Sequence, residues 1–453
     1  MRFNAIYFLS LSLLLTALCG CKTPKLSEAN EQMERGEFFN AAKTYRAVYN
    51  KLSPKNEREL RGVVAYRLAT CYRRLNQAPR ASAAYQNAIR YEYPDSMAFY
   101  YLGRSLQAEG KYNPAIDAYT AFLEWRPDDA LAKEGIRGCR KAIRAKGEPK
   151  SRYIVRNAKI FNSQRSDFAP MYLDKTLNTI YFTSSTEKAT GTNKSEITGT
   201  KKSDIFFSTK NERGEWQRPE PAEGELNTDA DEGVVSFSPD GQTMYLTMAR
   251  RSLNSDTSVE IYTSRRSDAS WSAPQKYEIT ADTLSAYGHP AVSPDGTYLY
   301  FCSDMPGGFG GKDIWRINLK SPTGSLENMG EQINTSGDEM FPYVRTDSLL
   351  YFSSDGHPGF GGLDLFRATL NSTGQRWSVE NMGIPINSPG DDFGITFGEG
   401  ESGFFSSNRR DARGYDSIYS FELPEIKVTI SGYVLDKDEE PVPNAIIRIV
   451  GDD

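Results

Sequence analysis

Ser238-Pro239-Asp240-Gly241 precedes Thr243-Met244-Tyr245-Leu246, and 55 residues later Ser293-Pro294-Asp295-Gly296 precedes Thr297-Tyr298-Leu299-Tyr300-Phe301. The Pro-Asp-Gly turn sets the dihedrals of a hairpin between two strands rich in aromatic and branched residues. Each hairpin leads through a loop to a third strand that opens on or beside an acid: Asp204-Ile205-Phe206, Glu260-Ile261-Tyr262, Asp313-Ile314-Trp315, Asp364-Leu365-Phe366 and Asp416-Ser417-Ile418-Tyr419. Outer strands follow the first four, among them Glu327-Asn328-Met329-Gly330 and Glu380-Asn381-Met382-Gly383, 53 residues apart. Residues 151–424 therefore read as five units of short strands. The fifth unit has no fourth strand after Phe421-Glu422-Leu423-Pro424, yet residues 155–163 resemble 379–388 with one gap. The segment ahead of the first unit is thus expected to complete the last, closing a ring without a free edge.

A spacing of about 50 residues with four strands per unit is that of propeller blades, and the Ser-Pro-Asp-Gly copies resemble the WD40-like PD40 repeats of the TolB type. The expectation is a five-bladed β-propeller over 151–424. Asp167, Asp231, Glu232, Asp338, Glu339, Asp391 and Asp392 each fall at the start of an innermost strand, so they should gather around one mouth of the axial channel. Two readings stand: an acidic mouth that holds a cation or meets a basic partner, or side chains that cap backbone amides. The loops Gly307-Gly308-Phe309-Gly310-Gly311 and Gly356-His357-Pro358-Gly359-Phe360-Gly361-Gly362 lie between strands. With no following helix to supply a dipole and an amide cradle, they read as turns rather than phosphate sites.

Upstream, residues 22–150 change to helical spacing. Leu102-Gly103, Gly110, Tyr112, Ala115, Tyr119, Phe122 and Pro127 recur one 34-residue step earlier as Leu68-Ala69, Ala81, Tyr85 and Ala88. This pattern resembles the tetratricopeptide repeat (TPR), in which small residues let paired helices approach and aromatics fill the remaining gap. An earlier copy runs through Gly36, Phe38, Ala41 and Tyr45 with about six extra residues in its linker, and residues 129–146 look like a capping helix. The resemblance implies an α-solenoid whose groove is lined by Tyr66, Thr70, Arg73, Tyr100, Arg104 and Lys141. Such an aromatic, cationic groove would bind an acidic peptide or acidic protein surface; alternatively its charges are a solvated face and the stack is a spacer.

At the start, Arg2, an apolar run over residues 5–18 and Leu18-Cys19-Gly20-Cys21 form a secretory signal. Fourteen apolar residues span roughly 21 Å, short of the roughly 30 Å of a hydrocarbon core. The ending resembles a bacterial lipobox, which implies that residues 1–20 are a lipoprotein signal peptide and that Cys21 carries lipid. Cys71, Cys139 and Cys302 remain, an odd set that reads as small buried hydrophobes rather than a disulfide framework. At the other end, Gly432-Tyr433-Val434-Leu435-Asp436 and Glu440-Pro441-Val442-Pro443-Asn444-Ala445 resemble the opening of a carboxypeptidase-regulatory-like β-sandwich over 425–453. Two strands cannot bury a core alone, so the chain is expected to stop inside that domain.

At 453 residues the chain is too long for one core. Residues 22–150 carry 24 basic and 15 acidic side chains, whereas residues 151–453 carry 29 and 44. With two histidines, in different units, and no Gly-x-Ser-x-Gly, His-Glu-x-x-His or Cys-x-x-Cys motif, no catalytic or metal constellation can be assembled and no cofactor is expected. Nucleic acid is not expected as a partner, because a lipid-anchored exported protein would not meet it and the basic residues form no run. The whole is a multidomain α plus β chain: TPR α-solenoid, five-bladed propeller and the start of a β-sandwich. That order resembles the lipoproteins of Bacteroidetes-type bacteria that end in an OmpA-like peptidoglycan-binding domain. The resemblance implies a non-enzymatic scaffold anchored in the outer membrane on its periplasmic face. There it would link type IX secretion or motility proteins to the cell wall, with peptidoglycan contact only through a C-terminal domain that these 453 residues lack. A periplasmic receptor holding a peptide or glycan on the propeller is the alternative.

Overall fold

A computed structural model describes residues 23–147, 151–191, 194–195, 197–251, 257–268, 270–409, 411–426, 429 and 431–448. The signal segment 1–20 and Cys21 lie outside the described residues. Among the described residues seven helices come first: α1 (Thr23–Glu34), α2 (Phe38–Lys51), α3 (Arg58–Arg74), α4 (Ala78–Arg90), α5 (Met97–Ala108), α6 (Tyr112–Leu123) and α7 (Ala130–Ala145). Their buried positions follow the helical period, as in α4, where Ala81, Ala84, Tyr85 and Ala88 face inward. Pro79 sits in the first turn of α4, where a missing amide leaves no bond unmade.

Tyr119 shows why the small residues recur. A Cβ on Gly103 of α5 would lie 2.7 Å from its ring, and one on Gly135 of α7 would lie 2.6 Å from it. The ring is therefore wedged between two helices that can approach only because both positions lack side chains. The extra linker residues fall between α2 and α3, and the Asp129 carboxylate caps α7 by accepting from the Ala132 amide at 2.8 Å.

The propeller has five sheets. Blade one is β2 (Asp167–Tyr172), β3 (Thr179–Ser184), β4 (Asp204–Thr209) and β5 (Glu220–Pro221). Blade two is β6 (Asp231–Phe237), β7 (Thr243–Arg251) and β8 (Thr257–Ser267), with β9 (Ser270–Trp271) and β10 (Gln275–Lys276) paired to β8. Blade three is β11 (Tyr287–Val292), β12 (Tyr298–Ser303), β13 (Asp313–Asn318) and β14 (Glu327–Asn328). Blade four is β15 (Glu339–Thr346), β16 (Leu349–Ser354), β17 (Asp364–Leu370) and β18 (Trp377–Asn381). Blade five is β19 (Asp392–Phe397), β20 (Ser402–Ser407) and β21 (Ser417–Glu422), and β1 (Ile154–Asn157) adds its outer strand, with Ile154 opposite Glu422 and Asn157 opposite Tyr419. The ring closes as the repeat pattern predicts. An apolar layer fills each gap between neighbouring blades; that between blades four and five holds Tyr351, Leu365, Phe397 and Phe405.

The innermost strand of every blade carries a bulge whose residue adopts positive φ: Ala169, Val234, His289, Phe341 and Gly394. Four of the five are not glycine, so the conformation is imposed by the ring. The neighbouring blade supplies the reason. The amides of Ala169, Val234 and His289 donate to Ser406 Oγ, Thr183 Oγ1 and Thr247 Oγ1 at 2.7, 2.9 and 2.9 Å. Those hydroxyls occupy one repeated position, the third of Tyr181-Phe182-Thr183, Tyr245-Leu246-Thr247 and Phe404-Phe405-Ser406. The bulges converge on the axis and leave a void of only about 20 Å³ among residues of all five blades.

Among the described residues of 425–448 the chain makes one isolated antiparallel bridge, Leu435 to Pro441, and these residues are exposed.

Candidate functional site

The seven acidic residues of the mouth form two tiers. Asp167, Glu232, Glu339 and Asp392 are buried, and each is bound by a group four residues upstream: the Ser163, Thr335 and Ser388 amides at 2.5, 2.7 and 2.6 Å, and the Thr228 hydroxyl. Hydroxyls of the second strand add to this, Ser184 to Asp167 and Ser354 to Glu339, both at 2.6 Å. Asp231, Asp338 and Asp391 reach sideways and accept from the Ser203, Lys312 and Leu363 amides of the preceding blade at 2.9, 2.8 and 2.9 Å. Between the tiers sits an asparagine that clasps one residue of the preceding third strand by both its amide and its carbonyl. Asn162 holds Ile418, Asn227 holds Ile205, Asn334 holds Ile314 and Asn387 holds Leu365.

The sequence expectation found the acids and missed the asparagines, although the signal was present. Asn162-Ser163, Asn227-Thr228, Asn334-Thr335 and Asn387-Ser388 each stand five residues ahead of the inner acid. The pattern fails once, before blade three, where Asp282 and Tyr287 occupy the two positions. Burial pushes the Glu232 and Glu339 carboxyls up to about 7 and raises that of Asp167. The geometry is that of amide caps, and among the described residues no group of acidic, histidine and cysteine side chains is arranged to hold a metal ion.

The helices lie on this same face. Arg104 donates to the Asp355 carboxylate at 2.7 Å and to the Asp355 carbonyl at 2.9 Å. Gln107, held by the Tyr119 hydroxyl at 2.8 Å, donates to the Gly359 carbonyl at 3.1 Å. Phe360 is buried within the helical core, with the Lys141 ammonium 5.7 Å from its ring centre. Gly138 packs so closely on the Gly359 backbone that a Cβ there would overlap the carbonyl. Further along, Gly414 of blade five abuts the Leu75 and Asn76 carbonyls, and the Phe39 amide donates to the Ile197 carbonyl of blade one at 3.1 Å. The stack thus crosses blades four, five and one. The basic segment and the acidic domain, opposite in charge, face one another within the chain.

This placement corrects the expectation of an open groove. Arg104 and Lys141 face the propeller, Tyr100 packs on Phe122, and Tyr66 stacks on Tyr93 at 4.3 Å. Thr70 shares a hydrogen bond with the Tyr85 hydroxyl at 3.3 Å. Arg73, Tyr100 and Arg104 line the space that remains: the Arg73 guanidinium lies 4.1 Å from the Tyr101 ring centre, and its Nε has no hydrogen-bond partner. That space is a cleft of about 1040 Å³ between α3, α5 and blade five, whose lining includes Arg73, Tyr101, Arg104, Asp391, Arg409 and Asp411. Arg409, which the sequence reading did not single out, is anchored by Asp392 at 2.5 Å and by the Pro385 carbonyl at 2.9 Å. The cleft joins cations, a stacked aromatic and hydrogen-bonding backbone, a combination that suits an extended acidic segment.

The axis carries the one thiol–imidazole contact among the described residues, Cys302 Sγ to His289 Nδ1 at 3.3 Å. Burial pushes the thiol up to about 12 and the imidazole down to about 3, so both groups are neutral. A nucleophilic pair needs the opposite shifts and an open approach; here the imidazole stacks on Phe341 at 3.8 Å. Cys71 and Cys139 are likewise buried, with thiols raised to about 12. His357 is fixed elsewhere, its Nε2 2.9 Å from the Ile333 carbonyl.

A tetratricopeptide-repeat family profile matches residues 64–96 and 97–128. No curated protein matches the sequence. Among solved structures, the endo-arabinase from Bacteroides thetaiotaomicron is 14% identical, with 62% of this chain and 99% of that one covered at a TM-score of 0.37. RS223-Beta-xylosidase is 13% identical, with 64% and 98% covered at 0.34. The C-terminal TPR-containing domain of a Plasmodium falciparum FK506-binding protein is 17% identical, with 28% and 91% covered at 0.25. At these identities and scores the likenesses bear on neither activity nor substrate.

Proposed function

We propose that the chain is a non-enzymatic scaffold for protein–protein contacts. The observation that carries this is the seam: a basic helical stack seated on the acidic mouth of a propeller whose mouth carboxylates are engaged by amides. Two modules joined in this way present surfaces for further contacts. On the resemblances in its sequence, it is a PorE-like component of the type IX secretion system, tethered to the outer membrane by lipid on Cys21 and facing the periplasm. Its partners are then envelope proteins of that system, with peptidoglycan reached through an OmpA-like domain outside these 453 residues. No step involves a cofactor or nucleic acid.

The cleft favours a second reading, a periplasmic receptor for a peptide or glycan, with the ligand between the modules instead of on the propeller axis. Crosslinking and affinity purification from native envelopes separates the two, comparing wild type with Cys21→Ala and with Arg73→Glu. Recovery of secretion-system components, reduced when the lipid site is removed, supports the scaffold. Recovery of the chain alone, together with a saturable small ligand that Arg73→Glu abolishes, moves the receptor forward.

A further inference from the structure

The loop that seats blade four on the helices has a twin one blade earlier. Asp304 to Asp313 aligns with Asp355 to Asp364: an acid first, then a glycine-flanked phenylalanine, Gly308-Phe309-Gly310-Gly311 against Gly359-Phe360-Gly361-Gly362. The two loops are held by the same bonds. The Phe309 amide donates to Asp313 at 2.7 Å as the Phe360 amide donates to Asp364 at 2.6 Å. Asn328 and Asn381 donate to those same carboxylates at 2.8 and 2.7 Å. The Lys312 and Leu363 amides donate to Asp338 and Asp391 at 2.8 and 2.9 Å.

What differs is the partner. Phe360 is 2% exposed in the helical core, whereas Phe309 is 50% exposed. Asp355 uses Oδ1 to hold the Asp338 amide at 2.9 Å and Oδ2 to bind Arg104. Asp304 uses Oδ1 in the same way, on the Ala286 amide at 2.7 Å, and is itself exposed with no ion pair among the described residues. Two residues before Ala286, on the segment it tethers, Leu284 is 97% exposed. Because the stack covers blades four, five and one, this loop lies on the part of the same face that the helices leave open.

We infer that the blade-three loop, with Asp304 and Phe309 as its contacts, is a second docking loop, and that its occupant is a helical-repeat surface of another protein. That surface offers an arginine to Asp304, an apolar socket to Phe309 and, against the backbone of Gly308, a residue without a side chain, as Arg104, the helical core around Phe360 and Gly138 do within this chain. A preorganised loop loses little entropy on binding, and the blade-four copy shows which chemistry the template fits. A second copy of the chain is the weaker occupant, since its own socket is already filled by Phe360. The inference rests on reading the chain as a scaffold.

The test places a photo-crosslinking amino acid at position 309 of the full-length chain in native envelopes, with further probes at Trp125 and at Lys111. The expected result is a crosslink from 309 to one partner, mapped by mass spectrometry to an α-helical hairpin repeat. Purified wild type then binds that partner, and Phe309→Ser and Asp304→Asn each weaken binding at least tenfold without lowering Tm, both side chains being exposed. A crosslink to a non-helical segment, to lipid or to another copy of the chain overturns the inference, as does silence at 309 while another probe captures envelope proteins. Silence at every position overturns the scaffold reading with it.

Discussion

Acidic side chains meet two fates on one face of the propeller. At the seam with the helices they pair with arginine: Asp355 with Arg104, and, beside the cleft, Asp392 with Arg409. Inside the blades, Asp167, Glu232 and Glu339 are buried against amides and hydroxyls. Burying a charge is unfavourable unless a counter-charge or several hydrogen bonds compensate it. The arginine pairs make their regions dependent on both partners, while burial in the blades raises the Asp167, Glu232 and Glu339 carboxyls. The two regions should therefore fail in different ways.

The largest effect is expected from Gly138→Val. A side chain at this position overlaps the Gly359 backbone, which is fixed by its own loop and cannot give way as a flexible side chain would. The helical stack should unseat while both modules remain folded, because Gly138 faces the propeller rather than Tyr119. Hydrogen exchange checks this: protection should fall at 356–362 and at 104–110 and persist in the second and third strands of each blade. Exchange unchanged at 356–362 would mean that the seam does not depend on this close approach.

Arg104→Ala comes next. It strands Asp355 and removes two hydrogen bonds, and both side chains are partly buried, so a loss of about 2–3 kcal/mol is expected. Arg104→Lys should not restore it, since one ammonium cannot serve carboxylate and carbonyl in the forked geometry. The coupling with Asp355→Ala, measured by a double-mutant cycle in urea, should exceed about 1 kcal/mol. An additive result would reduce the pair to an ornament of the seam.

Within the blades, Asn387→Ala leaves the Leu365 amide unsatisfied and its carbonyl with the Met382 amide alone, and should lower stability by about 2 kcal/mol. The exception in the pattern sharpens the prediction. At the corresponding place before blade three, Asp282 accepts from the Leu284 amide at 2.9 Å and the Ser285 hydroxyl at 2.5 Å instead of clasping a third-strand residue, so Asp282→Ala should cost well under half as much. Equal losses would show that the asparagines matter for local packing and not for joining blades.

These particulars show what a sequence can and cannot yield. The Pro-Asp-Gly hairpins, the five third strands and the completion of blade five by β1 were legible because turn chemistry and strand period are local. So were Gly103 and Ala115, whose smallness follows from the helix pair they occupy. The asparagine clasp was equally local and repeated, but a polar residue in a loop carries no visible sign of what it binds. The seam was hidden for a different reason: Arg104 and Asp355 are 251 residues apart, and a groove that binds in cis has the same composition as one that binds a partner. Only the opposite charges of the two segments hinted at it.

The smallest expected effect concerns pH. In the folded chain the Glu339 carboxyl is pushed by burial to about 7 from an ordinary 4.5. Between these values the native state holds a proton that the unfolded chain has released, so stability is fully present below about 4.5 and is lost as pH rises through 7. Glu232 acts in the same direction over the same window. Asp295, held down to about 2 by the Ser293 and Thr297 hydroxyls, acts oppositely but below pH 4, outside that window. Asp364 and Asp416, likewise pushed to about 7, add to the trend, while His289 and His357, whose imidazoles burial pushes down, oppose it below about pH 6.5. Four carboxyls outweigh two imidazoles, so thermal unfolding should give a higher Tm at pH 5.5 than at pH 8. Glu339→Gln keeps one oxygen for the Thr335 and Ser354 hydroxyls but sets an NH2 against the Thr335 amide and removes the titration, so it should lower stability and flatten the slope by on the order of 1–2 kcal/mol. Arg104→Ala, acting at the charged seam, should lower stability at both pH values and leave the slope intact. If the Glu339→Gln slope equals that of wild type, the carboxyl is ionised at neutral pH and the two regions handle their acids alike.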